Sequence, residues 1–250
     1  MANKVIVERL KESFKGKEHF TRKDLFDFYS EFESLKEATF RWRLFDLKEK
    51  KIIRSLTNDI FTFDSLPSYC PAVPKENKEL VSLLLKQFEG LKLSVWSTEI
   101  LNEFMLHLPG HSLTILEVEK NALESVFYFL KDLNKTDVFL EPTEKEIALY
   151  VNDNANAIIL KKLITKSPLQ LVEGVPTITL EKMIVDVFSD KKLFEAFQGS
   201  ELLQIINNAN EKYAINTTTL LNYANRRSKR GDIVGYLIEK SDLPKTILND

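Results

Sequence analysis

The sequence predicts a multidomain α/β protein in which a small helical module precedes a larger α/β domain that ends in helices. Three observations support this prediction. The first 65 residues contain three helical patterns followed by two short apolar runs around a polar turn. Prolines are concentrated in residues 66–75. Residues 76–250 begin with alternating helix-like and strand-like segments and become helical from residue 179 onward.

Composition excludes several protein classes. The 250 residues are 44% hydrophobic and 29% charged, so the chain can bury a core. Seven glycines and eight prolines are too few for a collagen-like chain, and the single cysteine, Cys70, excludes an intramolecular disulfide framework and a Cys-rich zinc site. No apolar run approaches the roughly 18 residues that span a bilayer. Residues 1–9 also lack an apolar signal segment, so we expect a soluble, cytoplasmic protein without a membrane partner.

Apolar periodicity and capping residues predict the first two helices. The first helix is indicated by Val5, Ile6, Leu10 and Phe14 at helical spacing. Thr21 is a typical N-cap for the second helix, with Asp24 three residues later. The interior of this helix contains Leu25, Phe26 and Tyr29.

The third helix is predicted to begin at Ser34, because Glu37 follows at the capping-box spacing. Its apolar face consists of Phe40, Leu44 and Leu47. Arg41 and Arg43 fall largely off this face, towards solvent, whereas Trp42 is expected to pack within the core.

A β-hairpin is predicted next, from the apolar runs at residues 52–54 and 60–63 around a turn at residues 57–59. Three helices followed by a hairpin are typical of a winged helix-turn-helix, whose second motif helix enters the DNA major groove. Two alternatives remain open: a small helical domain that binds no DNA, and a winged helix that docks onto another protein.

Local charge favours the DNA-binding interpretation. From Thr39 to Leu56 there are six basic residues against two acidic ones, although residues 1–74 as a whole carry only 14 basic against 12 acidic residues. We therefore expect the groove helix and the wing to supply the DNA contacts. The candidate contact residues are Lys36, Thr39, Arg41, Arg43, Arg54 and Asn58.

The C-terminal domain is predicted to follow a proline-rich linker at residues 66–75. Its predicted helices span residues 76–89, 98–106, 122–130, 180–188, 201–213, 217–225 and 232–239. Its predicted strands span residues 91–96, 112–119, 137–140 and 157–163, and residues 144–150 are ambiguous.

Glu117, Glu119 and Lys120 are the strongest candidates for catalysis. Alternation places both carboxylates on one side of a strand, where they could hold a divalent metal ion as in nuclease cores. The spacing of the lysine does not match the acid-x-lysine triplet of such cores, and Glu99 is the only acid near the preceding strand. No complete metal site is therefore expected; the same holds for His107 and His111, because a Pro-Gly pair separates them and a third ligand is missing.

A second basic cluster follows a predicted helix and consists of Arg226, Arg227, Lys229 and Arg230. One interpretation is charge that complements the dipole at a helix C-terminus, with Gly231 as the C-cap. The other is a patch for an acidic protein, RNA or DNA backbone.

This arrangement resembles the AbiEi-type antitoxins of bacterial abortive-infection (type IV) toxin–antitoxin systems. The resemblance covers most of the chain and rests on residues 20–63 with Arg41-Trp42-Arg43-Leu44 and Ile60-Phe61, on residues 179–186, on residues 220–224 with the basic run after them, and on residues 233–237. It implies a C-terminal α/β domain that is a degenerate nuclease-like core without the catalytic set.

The resemblance also implies the function. We expect a DNA-binding antitoxin that represses its own operon and counteracts a nucleotidyltransferase-type toxin, so that its partners are operator DNA and the cognate toxin. No enzymatic activity, cofactor or small-molecule substrate is expected. The alternatives are a metal-dependent nuclease with a winged-helix targeting domain and a non-catalytic protein-interaction adaptor.

Overall fold

The structure is a computed structural model that describes residues 2–32, 35–50, 52–63, 66–133, 135, 137–152, 154–243 and 248, with side chains from residue 6 onward. The predicted N-cap Ser34 and the side chain of Val5 lie outside the described residues. Within them the chain is mixed α/β, with helices and three small sheets. None of the helices in these ranges is both long and apolar enough to cross a bilayer.

The helices and strands are labelled in chain order. The helices are α1 (Ala2–Ser13), α2 (Arg22–Ser30), α3 (Glu37–Glu49), α4 (Lys75–Gln87), α5 (Leu123–Asp132), α6 (Glu144–Glu146), α7 (Leu180–Ser189), α8 (Ser200–Lys212), α9 (Thr217–Arg226) and α10 (Arg230–Lys240). The strands are β1 (Phe20–Thr21), β2 (Arg54–Ser55), β3 (Ile60–Thr62), β4 (Leu93–Ser97), β5 (Thr114–Val118), β6 (Val138–Leu140), β7 (Ile158–Lys162), β8 (Leu169–Val172) and β9 (Val175–Ile178).

The N-terminal part packs α1, α2 and α3 against an antiparallel sheet of order β1-β3-β2. The three predicted helices and the hairpin are confirmed. The Thr21 N-cap is confirmed as well; it forms a capping box, since its hydroxyl accepts from the Asp24 N–H and the Asp24 carboxylate accepts from the Thr21 N–H. The predicted start of the third helix is wrong: α3 begins at Glu37 after Lys36, which makes no side-chain cap.

A largely aromatic core holds this part together. Its buried members are Leu10, Phe14, Phe20, Leu25, Phe28, Tyr29, Phe40, Leu44, Leu47, Ile53 and Phe61. Phe40 and Leu44 come from the predicted apolar face of α3, so that face is confirmed. Burying this face leaves the opposite side of α3 in solvent.

The central sheet has the order β4-β5-β7-β6. β4 runs antiparallel to β5, whereas β5, β7 and β6 run parallel to one another. The predicted strands are confirmed with ends shifted by one or two residues. In the register, Glu117 of β5 lies opposite Lys161 of β7, so a carboxylate and an ammonium project from the same face.

Helices cover both faces of this sheet. Leu116, Val118 and Leu160 pack with α4 and α5 on one face. Ile115 and Ile159 pack with α7 and the C-terminal helices on the other. Glu117 lies two residues after Ile115 on β5 and therefore points into this same, largely apolar layer.

The hairpin of β8 and β9 was not predicted. Its strands pair antiparallel around Glu173 and Gly174, and both turn residues have positive φ. Pro168 and Pro176 disrupt the pattern that would have indicated strands. The hairpin leads directly into α7, which Thr179 caps through a hydrogen bond from the Lys182 N–H.

The N-terminal part rests on the C-terminal helices. Thr217, at the start of α9, donates from its backbone N–H to the Leu56 carbonyl at 3.1 Å, and its hydroxyl donates to the same oxygen. The linker also packs against the C-terminal part. The Ala214 N–H donates to the Pro67 carbonyl at 3.0 Å, and Tyr69 is buried against Phe104. Residues 66–69 are therefore not a free tether.

Candidate functional site

The exposed side of α3 is the first candidate surface. Lys36, Thr39 and Arg41 are exposed there, and the Arg41 side chain is 72% exposed. Its guanidinium lies 3.4 Å from the Glu37 carboxylate, which Arg22 of α2 also contacts. These two arginines lower the pKa of Glu37. The structure thus exposes three predicted contact residues at α3, and of these Arg41 lies beside the Glu37 carboxylate.

Arg43 differs from the expectation of a solvent-facing side chain. It is half-buried, and its guanidinium lies 5.7 Å from the centroid of the Tyr29 ring. A cation held against a core aromatic ring contributes to packing. Arg41 therefore presents its charge to solvent more fully than Arg43 does.

The exposed side of α3 is also aromatic. Trp42 is 62% exposed and Phe45 is 60% exposed, one turn apart on the helix. The prediction that Trp42 packs within the core is wrong. It sits between the two arginines on a face that no described element covers, and it forms an apolar patch beside Arg41.

The turn of the predicted wing contacts the body of the protein. The backbone N–H of Asn58 donates to the Thr218 hydroxyl at 3.1 Å. Arg54 is half-buried and lines a cavity of about 620 Å³ between the two parts of the chain. The structure therefore separates the six predicted site residues: four lie on α3 or at its start, and the two from the hairpin lie against or near the C-terminal helices.

A buried charged network is the second candidate site. Lys182 of α7 is completely buried, and its ammonium group lies 2.8 and 2.9 Å from the two Glu117 carboxylate oxygens. It also donates to the carboxylate of Asp186 and to the Tyr223 hydroxyl at 3.1 Å. Tyr223 of α9 donates in turn to Asp186 at 2.8 Å. We call Glu117, Lys182, Asp186 and Tyr223 the buried charged network.

The electrostatics of the buried charged network follow from its burial. Burial by itself would lower the pKa of Lys182, but the carboxylates of Asp186 and Glu117 together raise it above the ordinary lysine value. Burial raises the pKa of Glu117; Asp186 adds to this effect and Lys182 opposes it. Lys182 is therefore held as an ammonium ion, and the network is closed to solvent.

A second set of ion pairs extends the network to the surface. Asp190, at the end of α7, accepts from the Arg227 guanidinium at 2.7 Å and from the Lys161 ammonium. Burial alone would raise the pKa of Asp190, but Lys161 and Arg227 hold it below its usual value. Arg227 also lies 3.4 Å from Asp186, so it connects both sets.

The predicted basic cluster is divided by these contacts. Arg227 is half-buried in ion pairs, and Lys229 pairs with Asp232 at 3.1 Å. Arg226 is exposed, and Arg230 is half-buried at the start of α10. Gly231 lies inside α10, so the prediction that it caps the preceding helix is wrong. The sequence predicted one helix end in this cluster, whereas the structure has two: α9 ends at Arg226 and α10 begins at Arg230.

Glu117, Glu119 and Lys120 do not form one site. Glu117 is bound by Lys182, whereas Glu119 lies beyond the end of β5, where it accepts from the backbone N–H of Lys92. Lys120 is exposed. Among the described residues there is no group of three or more His, Cys, Asp or Glu side chains that could hold a metal ion.

Sequence reasoning missed Lys182 and Asp186. A signal was present: these two residues are four apart on α7, and together with Glu181 they interrupt the apolar stretch Leu180–Phe188. A lysine and an aspartate on a helix that is buried on all sides must find partners. The partner on β5 is 65 positions away and could not be read from local spacing.

Comparison with protein families gives one match, described as "Family of unknown function (DUF6577)", over residues 39–242. The chain belongs to this family. The family region begins within α3 and continues through the linker, the central sheet and every member of the buried charged network. No curated protein matches the sequence.

Proposed function

We propose that this chain is a DNA-binding antitoxin that represses its own operon, as its resemblance to the AbiEi-type antitoxins implies. In this proposal residues 1–65 act as a winged helix-turn-helix with α3 as the groove helix. The observation that carries it is the exposed side of α3, where the side chains of Lys36, Thr39 and Arg41 are open to solvent. The order of three helices and an antiparallel hairpin supports the same proposal.

Arg41 is the proposed main contact. Its ion pair with Glu37 is exposed and therefore weak, so a DNA phosphate or a guanine edge can replace the carboxylate. Lys36 would add a phosphate contact, and Phe45 an apolar contact to a thymine methyl group. Asn58 would reach DNA only through its side chain, because its backbone N–H is bound to Thr218.

In the same proposal the C-terminal body binds a nucleotidyltransferase-type toxin and performs no catalysis. The Glu117 carboxylate is ion-paired with Lys182 and closed to solvent, which disfavours metal-dependent nuclease chemistry. We therefore do not propose the nuclease alternative.

The test of DNA binding is fluorescence anisotropy of the full chain on DNA from immediately upstream of its gene, over a salt series. We expect salt-sensitive binding, and a Lys36→Ala/Arg41→Ala variant should reduce the log–log salt slope by about 2 because two phosphate contacts are lost. A Lys135→Ala/Lys145→Ala variant removes the same charge from exposed positions elsewhere and should bind as the wild type does. Absence of binding even at low salt would overturn the proposal.

A protein-interaction adaptor is the second candidate, favoured by the exposed Trp42 and Phe45. Aromatic residues on one exposed helix face are typical of protein interfaces. In this case a Trp42→Ala/Phe45→Ala variant would lose co-purification with the product of the adjacent gene, while the wild-type chain would show no specific DNA binding. Retained co-purification would exclude α3 as that interface.

A further inference from the structure

We propose that a basic cleft at the carboxyl ends of β5 and β7 binds a nucleotide-sized ligand that carries two or three phosphates. The cleft has a volume of about 990 Å³. It is formed by the residues before β4, after β5 and after β7, by the β8–β9 hairpin, and by the end of α9. This ligand class goes beyond the proposed antitoxin role and does not depend on DNA binding by α3.

The charge of the cleft is the first argument. Five cationic side chains line it against one carboxylate, that of Glu119. The five are Lys92, Lys120, Lys162, Lys166 and Arg226. Within the described part of the chain, the side chains of these five residues form no ion pair and no hydrogen bond; Lys92 and Lys162 bind carboxylates only through their backbone N–H groups. The cations outnumber the single carboxylate, and this excess creates a positive potential that attracts an anion.

The contrast with the neighbouring cations strengthens this argument. Lys161 precedes Lys162 on β7, Arg227 follows Arg226 at the end of α9, and Lys182 lies on α7; all three are bound to carboxylates. The chain thus neutralises its interior cations and leaves those of the cleft available. Repulsion among unpaired cations destabilises the fold, and a bound polyanion would relieve it.

The position of the cleft is the second argument. Lys120 follows the end of β5, and Lys162 is the last residue of β7, the parallel neighbour of β5. In open α/β sheets, ligands bind in the crevice beyond the carboxyl ends of parallel strands. Loops at these ends converge, which explains how cations that are far apart in the chain meet in one place.

The residues that line the cleft indicate the charge and the size of the ligand. Four net positive charges match the roughly four negative charges of a triphosphate at neutral pH. An apolar wall lies beside them and consists of Leu91, Leu93, Leu163, Ile164, Leu169 and Pro176. This wall suits a sugar and base. The lining contains no aromatic side chain on which the successive bases of a single strand would stack, and the volume is that of a small-molecule site.

The test uses the full chain in magnesium-free buffer, with ATP and inorganic triphosphate as probes in isothermal titration calorimetry. We expect both to bind, and we expect a Lys120→Ala/Lys162→Ala variant to bind at least about tenfold more weakly. Both side chains are exposed, so this variant should fold, and circular dichroism checks that it does. The matched control is Lys135→Ala/Lys145→Ala, which should leave the affinity unchanged.

The two probes separate the sources of affinity. Equal binding of ATP and triphosphate supports the proposal with phosphates as the recognised group, and tighter binding of ATP supports it with the apolar wall as a base contact. Three results would overturn it: no binding of either probe at millimolar concentration, binding that the cleft variant does not weaken, or cleft-dependent binding of a DNA oligonucleotide but not of ATP. The anisotropy test of α3 depends on the Lys36→Ala/Arg41→Ala variant, which leaves the cleft intact, so the two proposals fail independently.

Discussion

Lys182 is the residue on which the interior of the C-terminal part depends. It is completely buried, and two carboxylates and a tyrosine hydroxyl surround its ammonium group. Burying a charge costs free energy, which the opposite charges offset only while all partners are present. Removing one partner therefore lowers the free energy of unfolding by more than the intact ion pairs contribute to it, because the remaining charge stays buried.

A Lys182→Met variant should lower the free energy of unfolding by about 3–5 kcal/mol, because it leaves Glu117 buried without its cation and Asp186 with only the more distant Arg227. Urea denaturation at pH 7 measures this. The loss should be smaller at pH 5, since protonation neutralises Glu117, whose pKa is already raised by burial. A Glu117→Gln/Lys182→Met double variant should recover part of the loss. A single variant as stable as the wild type would contradict this account.

Asp190 contributes a pH-dependent part of the stability. Lys161 and Arg227 hold its pKa below the usual value against the effect of burial, so the folded state favours the carboxylate. Its contribution is present above the unfolded-state pKa of about 3.9 and is lost as the pH falls through the lower folded-state pKa.

An Asp190→Asn variant should therefore be destabilised by about 1–3 kcal/mol at pH 7, and this difference should shrink below about pH 4. Thermal or urea unfolding of both proteins from pH 7 to pH 3 measures it. Asp132→Asn is a control on α5, where the side chain lies outside these ion pairs. A difference that is constant over the whole range would exclude the ion pairs as its cause.

At the scale of elements, α2 shows how a local pattern sets a helix end. Thr21 and Asp24 satisfy each other's backbone N–H groups, and this pairing lowers the pKa of Asp24. Both partners lie within four residues, so their spacing was sufficient to predict the helix start. α3 behaves differently: it starts at Glu37 without a side-chain cap, and Glu37 pairs with Arg22 and Arg41 instead of forming a capping box.

Replacing Thr21 by Ala should destabilise the N-terminal part by about 1 kcal/mol, because one N-terminal N–H loses its acceptor. Chemical denaturation followed by far-UV circular dichroism measures the loss. Thr21→Ser keeps the hydroxyl and should stay close to the wild type. If serine and alanine were equally destabilising, packing of the threonine methyl group, and not capping, would be the cause.

At the scale of the whole molecule, the N-terminal part is attached to the C-terminal helices by the hairpin turn and the linker. Thr217 is completely buried and binds the Leu56 carbonyl through both its N–H and its hydroxyl. The ring of Tyr69 in the linker packs edge-to-face against Tyr213 and at a tilt against Phe104. This attachment sets the direction in which the exposed side of α3 faces.

A Thr217→Val variant keeps the shape of the side chain and removes the hydroxyl. It should weaken the attachment by about 1 kcal/mol, so that the hairpin opens roughly fivefold more often. Hydrogen exchange of the hairpin amides and protease cleavage within residues 66–75 measure this opening. Thr165→Val, at an exposed position, is the control. Unchanged exchange in Thr217→Val would show that apolar packing alone holds the two parts together.

The sequence by itself determined the local elements. The apolar period of Leu180–Phe188 predicted α7, and the β-prone run at residues 157–163 predicted β7, because helix and strand preferences depend on neighbouring residues. Patterns interrupted by proline failed, as for β8 and β9. The burial of Trp42 was also misjudged, because local spacing does not reveal whether another element covers a helix face.

Only the tertiary structure decided which charges meet. In the folded chain Lys182 binds Glu117, and Arg227, predicted to lie in a surface patch, forms ion pairs instead. The cleft combines cations from positions as far apart as Lys92 and Arg226. These contacts join residues that are far apart in the chain, and their energies depend on burial and distance, which a linear pattern does not contain. The candidate DNA surface on α3 follows from local spacing, whereas the buried charged network and the basic cleft exist only because the sheet and the helices pack together.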